Sequence, residues 1–172
     1  MRHSVHAMLG TALLAIAAGS PATAVGQEAQ LDVHGNYSTG TSTHSKSWGG
    51  GVGVQGTFGG DAAPIKVSLS PGVDYLKQEE GGPSQTSVSL DANLQPGGSS
   101  SVTPYVGASA SENWSGGSGK MWDGAKLGLE TMAGAQFKLG GSGASLKAEE
   151  RFGYVKEQEH TLTTRVGFLV SF

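Results

Sequence analysis

Apolar and polar residues alternate with a period of two along most of this chain, in eight separate stretches. The first is residues 31–39, with Leu31, Val33, Gly35 and Tyr37 on one face. The second, 48–58, carries Trp48, Val52, Val54 and Phe58. Then come 65–75 (Ile65, Val67, Leu69, Val73, Tyr75), 86–94 (Val88, Leu90, Ala92, Leu94) and 102–110 (Val102, Val106, Ala108, Ala110). The last three are 125–139 (Leu127, Leu129, Ala133, Ala135, Phe137, Leu139), 144–154 (Leu146, Ala148, Phe152, Tyr154) and 162–172, ending Val166, Phe168, Val170, Phe172. Strict alternation is the signature of a strand with one apolar face. No 3.6-residue period competes with it. At about nine to fifteen residues, each stretch is long enough for a tilted strand to cross a bilayer.

The segments between the strands are of two kinds. Residues 59–64, 95–99 and 140–143 are short and Gly-rich, with at most one charge each. Residues 44–46, 76–85, 111–124 and 156–160 are mostly longer and more charged. Short turns at one rim and long polar loops at the other are the plan of an up-and-down barrel in an outer membrane. The pattern predicts an all-β, eight-stranded antiparallel transmembrane barrel with both ends of the sheet at the same rim.

The second face of each strand is polar, and much of it is charged. Asp32, Lys66, Asp74, Asp91, Lys126, Glu130, Lys138, Lys147, Glu149, Arg151 and Arg165 lie there, with His34 and Asn36. A soluble barrel turns its apolar face inward, whereas a membrane barrel turns it toward lipid. The aromatic residues favour the second arrangement. With strand one running upward, Tyr37, Trp48, Tyr75 and Tyr154 fall near the upper rim. Phe58, Phe137 and Phe172 fall near the lower one, all on the apolar face. Aromatic girdles at two levels suit a bilayer with two interfaces.

Composition sharpens the location. Arg2, His3 and His6 precede a 12-residue apolar run, Met8 to Gly19, and then Ala22-Thr23-Ala24. That is the build of a cleaved export signal, too short to span a bilayer. Residues 1–24 are therefore expected to be a signal peptide and residues 25–172 the barrel domain. The formal charge of −3 gives no basic face for nucleic acid. With no cysteine, disulfides, thiol redox chemistry and Cys-zinc sites are excluded. Glycine, 29 of 172 residues, far exceeds the usual ~7%. The glycines either cluster in turns or alternate inside strands, so composition-driven disorder does not explain them. The run from Trp48 to Gly56 reads as a strand with small outward residues, not a nucleotide loop.

Several stretches resemble the small eight-stranded outer-membrane barrels of Gram-negative bacteria, of the OmpA-membrane-domain, OmpX and opacity-protein type. They are Thr103 to Ala108 (TPYVGA), Ala133 to Phe137 (AGAQF), Leu146 to Tyr154, and the ending Val166 to Phe172. The resemblance implies export to the outer membrane, contact with its lipid and lipopolysaccharide, and delivery by the barrel-assembly machinery. It implies that Phe168, Val170 and Phe172 form the assembly signal in the last strand. Lipid A deacylases of this architecture carry a His-Ser pair near the end of an outward-facing strand. Strand seven here, LKAEERFGYVK, has neither residue at its upper end. No nucleophilic triad, metal spacing or phosphate-binding loop is legible, so no catalytic residue, metal or cofactor is expected.

The expected role is a non-enzymatic structural or surface-interaction barrel. Trp114 and Trp122, in the longest loop, are candidates for contact with a host or other cell-surface ligand, or else for simple anchoring at the interface. Lys66, Asp91, Glu130, Glu149, Arg151 and Arg165 are expected either to plug the lumen as ion pairs or to line a narrow pore. A porin-like channel is the first alternative and a soluble periplasmic lipid-binding barrel the second. Two residues depart from the pattern. Glu150 has outward parity midway along strand seven, so a bulge or a covering partner is expected. Pro71 lies inside strand three, where a bulge or weak pairing is expected.

Overall fold

In the computed structural model, which describes residues 28–60, 62–98, 100–116, 125–141, 143–156 and 160–172, eight antiparallel strands close into a barrel. They are β1 (Glu28–Gly40), β2 (Lys46–Phe58), β3 (Ile65–Gln78), β4 (Gln85–Pro96), β5 (Val102–Ser115), β6 (Lys126–Lys138), β7 (Ala144–Val155) and β8 (His160–Ser171). Each pairs with the next, and β1 pairs with β8 from Gln30↔Ser171 to Gly40↔Thr161. Closure leaves no free sheet edge. The signal-peptide segment lies outside the described residues.

Three tight turns join the strands at one end. Gly140, at φ +64°, makes the β6–β7 turn in a conformation that L side chains rarely adopt, closed by Leu139 N–H donating to the Ala144 carbonyl. At the opposite end, where longer loops are expected, only the β5–β6 connection, residues 116–125, is long; those at 41–45, 79–84 and 156–159 match the turns in length. They are shorter than the alternation indicates, because the ladder continues past the apolar positions. β3 runs to Gln78 and is followed by a 3-10 turn, Glu79–Gly81, and β5 runs to Ser115.

Side chains sort by parity as the sequence requires. Asp32, His34 and Asn36 are buried while Leu31, Val33 and Tyr37 are exposed; β8 repeats this with Arg165 inside and Val166 and Phe168 outside. All seven girdle aromatics point outward. Among the described residues, the fully buried side chains of Arg151, Lys147, Leu169, Gln55 and Ser68 all face the lumen. The core of this molecule is therefore its polar interior, and its apolar surface is outside. That inversion fits a protein whose surroundings are hydrocarbon.

Neither irregular residue produces a bulge. At Pro71 the β2–β3 register is the same on both sides, Gly53↔Gly72 and Gly56↔Leu69, but the two intervening pairs are missing. The β3–β4 ladder continues through Pro71↔Leu90. Pro71 has no N–H, so the weak pairing falls on the β2 side alone. Around Glu150 the register is unbroken, Ala133↔Glu150 and Glu150↔Thr164. Its side chain does face outward, with Thr164 Oγ1 donating to Oε1 at 2.7 Å.

Candidate functional site: a charged lumen beneath a polar vestibule

Alternation on β7 places Lys147, Glu149 and Arg151 in a row inside the barrel, and the other strands bring partners to that row. Arg151 Nη2 donates to Asp91 Oδ1 at 2.8 Å. Arg151 Nε lies 2.8 Å from Glu130 Oε2, off the hydrogen-bond direction, so that contact is an ion pair only. Glu149 Oε1 is 3.4 Å from Arg151 Nη1 and 3.5 Å from Arg165 Nε. Arg165 Nη2 contacts both oxygens of Asp74 at 3.1 Å, and its Nε donates to Asn36 Oδ1 at 2.9 Å. Lys147 Nζ donates to Asp32 Oδ2 at 3.1 Å and sits 3.4 Å from Glu149 Oε2.

Two further side chains complete this network. His34 is held between carboxylates, Nδ1 at 2.9 Å from Asp32 and Nε2 at 2.7 Å from Asp74. An imidazole with a proton on each nitrogen donates to both. Room for this contact comes from Gly51 on β2, where a Cβ would sit 2.7 Å from His34 Nε2 and 2.6 Å from the Val73 carbonyl oxygen. The glycines at 49, 51 and 53 thus face inward; the small residues of this strand are not all outward. Tyr105, also inward and 4% exposed, donates its hydroxyl to Glu149 Oε2 at 2.5 Å.

Of the expected interior residues, Asp91, Glu130, Glu149, Arg151 and Arg165 meet in one network. Lys66 does not join it. It is half-buried at the turn end of β3, opposite Gln95, because charge on the polar face says nothing about level along the barrel axis. Asp32, His34, Asp74 and Lys147, on the polar face by parity but not among the expected plug residues, belong to the network too, and so does Tyr105, inward by the same parity. Leu169 also faces inward, fully buried, as an apolar member of the lumen.

Above the network, a cavity of about 370 Å³ extends toward the end opposite the Gly-rich turns. Ser38, Ser47, Ser87, Asn113 and Thr163 are among its walls, and Asp74, Glu130, Arg151 and Arg165 lie at its base. Thr43, Ser45 and Pro83 from the connecting loops line its mouth. The lumen is thus a vestibule above a band of buried ion pairs.

Trp114 sits in the strand region of β5, half-buried and opposite Thr86, rather than in a loop. Trp122 lies outside the described residues. Phe168 and Val170 face outward on β8, and Phe172, just beyond its end, is 81% exposed. Among the described residues, no His side chain is hydrogen-bonded to Ser or Thr. His160 instead stacks on Phe152, centroids 5.4 Å apart. No group of three or more His, Asp or Glu among the described residues is arranged to hold a metal ion.

Apolar exterior, charged interior and eightfold closure define an outer-membrane β-barrel of the small eight-stranded class. Solved structures agree on the fold. The Neisserial surface protein A superposes with a TM-score of 0.57 at 18% identity, covering 85% of this chain and 97% of its own. Ail, the attachment invasion locus protein of Yersinia pestis, gives 0.58 at 14% identity, covering 87% and 100%. The outer-membrane enzyme PagL gives 0.50 at 14% identity, covering 82% and 99%. One fold thus serves an enzyme as well as surface proteins, so fold does not fix activity. No family model matches the chain, and no curated protein matches its sequence.

Proposed function

We propose that this chain is a non-enzymatic outer-membrane barrel whose work is done at its surface, by the connections at the vestibule rim, the β5–β6 connection above all. The observation that carries this reading is the filled lumen. Arg151, Lys147 and Glu149 lie at mid-barrel with side chains at most 1% exposed, bound to carboxylates and to one another. A lumen occupied in this way leaves the rim as the part that meets other molecules. Ail, which shares the fold, is also described in complex with the heparin analogue sucrose octasulfate. That supports a surface ligand as a kind of partner for this architecture. Lipid and lipopolysaccharide would surround the apolar wall, and the barrel-assembly machinery would deliver the chain.

The test is directed at the two tryptophans. Cells displaying the barrel are compared with cells displaying the Trp114→Ala, Trp122→Ala double variant, at matched surface levels. Binding to host cells or to immobilised anionic glycans is scored, and the reading expects it to fall at least several-fold. Equal binding would return both tryptophans to interfacial anchoring. No binding by either protein would remove the surface-ligand role.

A further inference from the structure

The outer wall is not the same all the way round. On β1 to β4 the outward residues of the mid-belt are apolar: Val33 and Gly35, Val52 and Val54, Leu69 and Val73, Leu90 and Ala92. On β6 to β8 they include Thr131, Glu150 and Thr164, all exposed. A carboxyl group facing hydrocarbon is unfavourable, and the intact register shows that it is not turned inward.

Its neighbourhood is also shaped. One rung toward the turns, Ala135, Ala148 and Val166 stand side by side, and Ala133 flanks Glu150 on its own rung. Bulkier rungs lie beyond on both sides, Phe137–Leu146–Phe168 below and Phe152–Leu162 above. The wall narrows to a waist with the glutamate in it. Hydrogen-bonding capacity there is unbalanced in a particular way. Among the described residues Glu150 accepts from Thr164 alone, although a carboxylate offers about four acceptor sites. Thr131, one rung above on the neighbouring strand, has an exposed hydroxyl without a hydrogen-bond partner among the described residues.

We propose that a second copy of this chain covers the waist, with a two-fold axis along the membrane normal beside β6 and β7. Each Glu150 would then accept a hydrogen bond from the other copy's Thr131. Depth in the membrane argues for a second copy. A buried acceptor at mid-belt is satisfied only by a donor at a similar depth. All copies enter the membrane in one direction, so each carries Thr131 close to the depth of Glu150. A two-fold contact is reciprocal, so surplus acceptor and free donor are matched twice. The alanines at 133, 135 and 148 allow the walls to approach. The inference rests on the membrane-spanning fold and is independent of the surface role proposed above.

The chain has no cysteine, which makes the test clean. Ala133→Cys and Ala148→Cys report on the waist, and Val52→Cys on the opposite wall. Each is placed in native outer membranes, oxidised with copper phenanthroline, and checked for folded migration before scoring. Expected is disulfide-linked dimer from at least one waist position and none from Val52→Cys. Adding Glu150→Leu should cut the dimer at least tenfold, whereas Glu150→Gln, which keeps an acceptor, should retain most of it. Equal cross-linking from both walls, no dimer from either waist position, or dimer unaffected by Glu150→Leu would each overturn the proposal.

Discussion

Arg151 is the residue on which the interior converges, within 3.4 Å of Asp91, Glu130 and Glu149. Removing one member of a buried ionic set leaves its partners uncompensated, at a typical cost of about 3–5 kcal/mol. Arg151→Met fills similar volume without charge and is expected to lose that much, measured by urea unfolding in detergent micelles. A loss below about 1 kcal/mol would mean that water, not Arg151, compensates the three carboxylates. Gly51→Ala tests the opposite failure. Its Cβ would press on the Val73 carbonyl and on the His34–Asp74 contact. Overpacking of this kind costs about 1–3 kcal/mol, and Gly51→Ala should lower the same unfolding midpoint. Parity in the sequence put these side chains inside. It did not say which of them meet, because Lys147 and Asp32 are 115 positions apart and Arg165 and Asn36 are 129 apart. Such contacts depend on closure and on the stagger between strands, which no single strand encodes. Lys66 shows the same gap from the other side: correct face, wrong level.

At the scale of elements, alternation and turn glycines were enough to place all eight strands, while their ends were misjudged at the loop rim. Gln78 and Trp114 extend strands beyond the last apolar position, since hydrogen bonding to a neighbour continues where the apolar pattern has stopped. Pro71 shows what one residue does to a ladder. Restoring the missing N–H with Pro71→Val should close the β2–β3 gap and add about 0.5–1.5 kcal/mol, read as a raised unfolding midpoint in liposomes. An unchanged or lowered midpoint would mean that β2 has no acceptor in position there. Strand β8 carries the second element-scale test. Phe172 lies past the last ladder pair and is 81% exposed, so deleting it forfeits at most the ~1.5–3 kcal/mol of one buried aromatic side chain. If Phe168, Val170 and Phe172 form the assembly signal, the deletion should refold in detergent yet accumulate poorly in the outer membrane of cells. Normal outer-membrane levels would leave Phe172 as an interfacial residue and nothing more.

For the whole molecule, one inversion organises everything: the buried core is polar and the exposed surface apolar. The sequence shows the alternation but not, by itself, which face is inside. Charge on one face and aromatic girdles on the other pointed the right way, and burial of the charged face inside the closed barrel settles it. The functional claim built on this fold is that the ion pairs at mid-barrel close the lumen, so that the protein acts at its rim rather than by conduction. Electrical recording tests this most directly. Purified barrel is inserted into planar lipid bilayers and current is recorded alongside Arg151→Ala and Glu130→Gln. Insertion is confirmed by protease protection in matched liposomes. The expected result is membranes without discrete current steps from the unmodified barrel. Stable unitary steps from it, changing in size when Arg151 or Glu130 is neutralised, would contradict the closed lumen and make the protein a narrow channel.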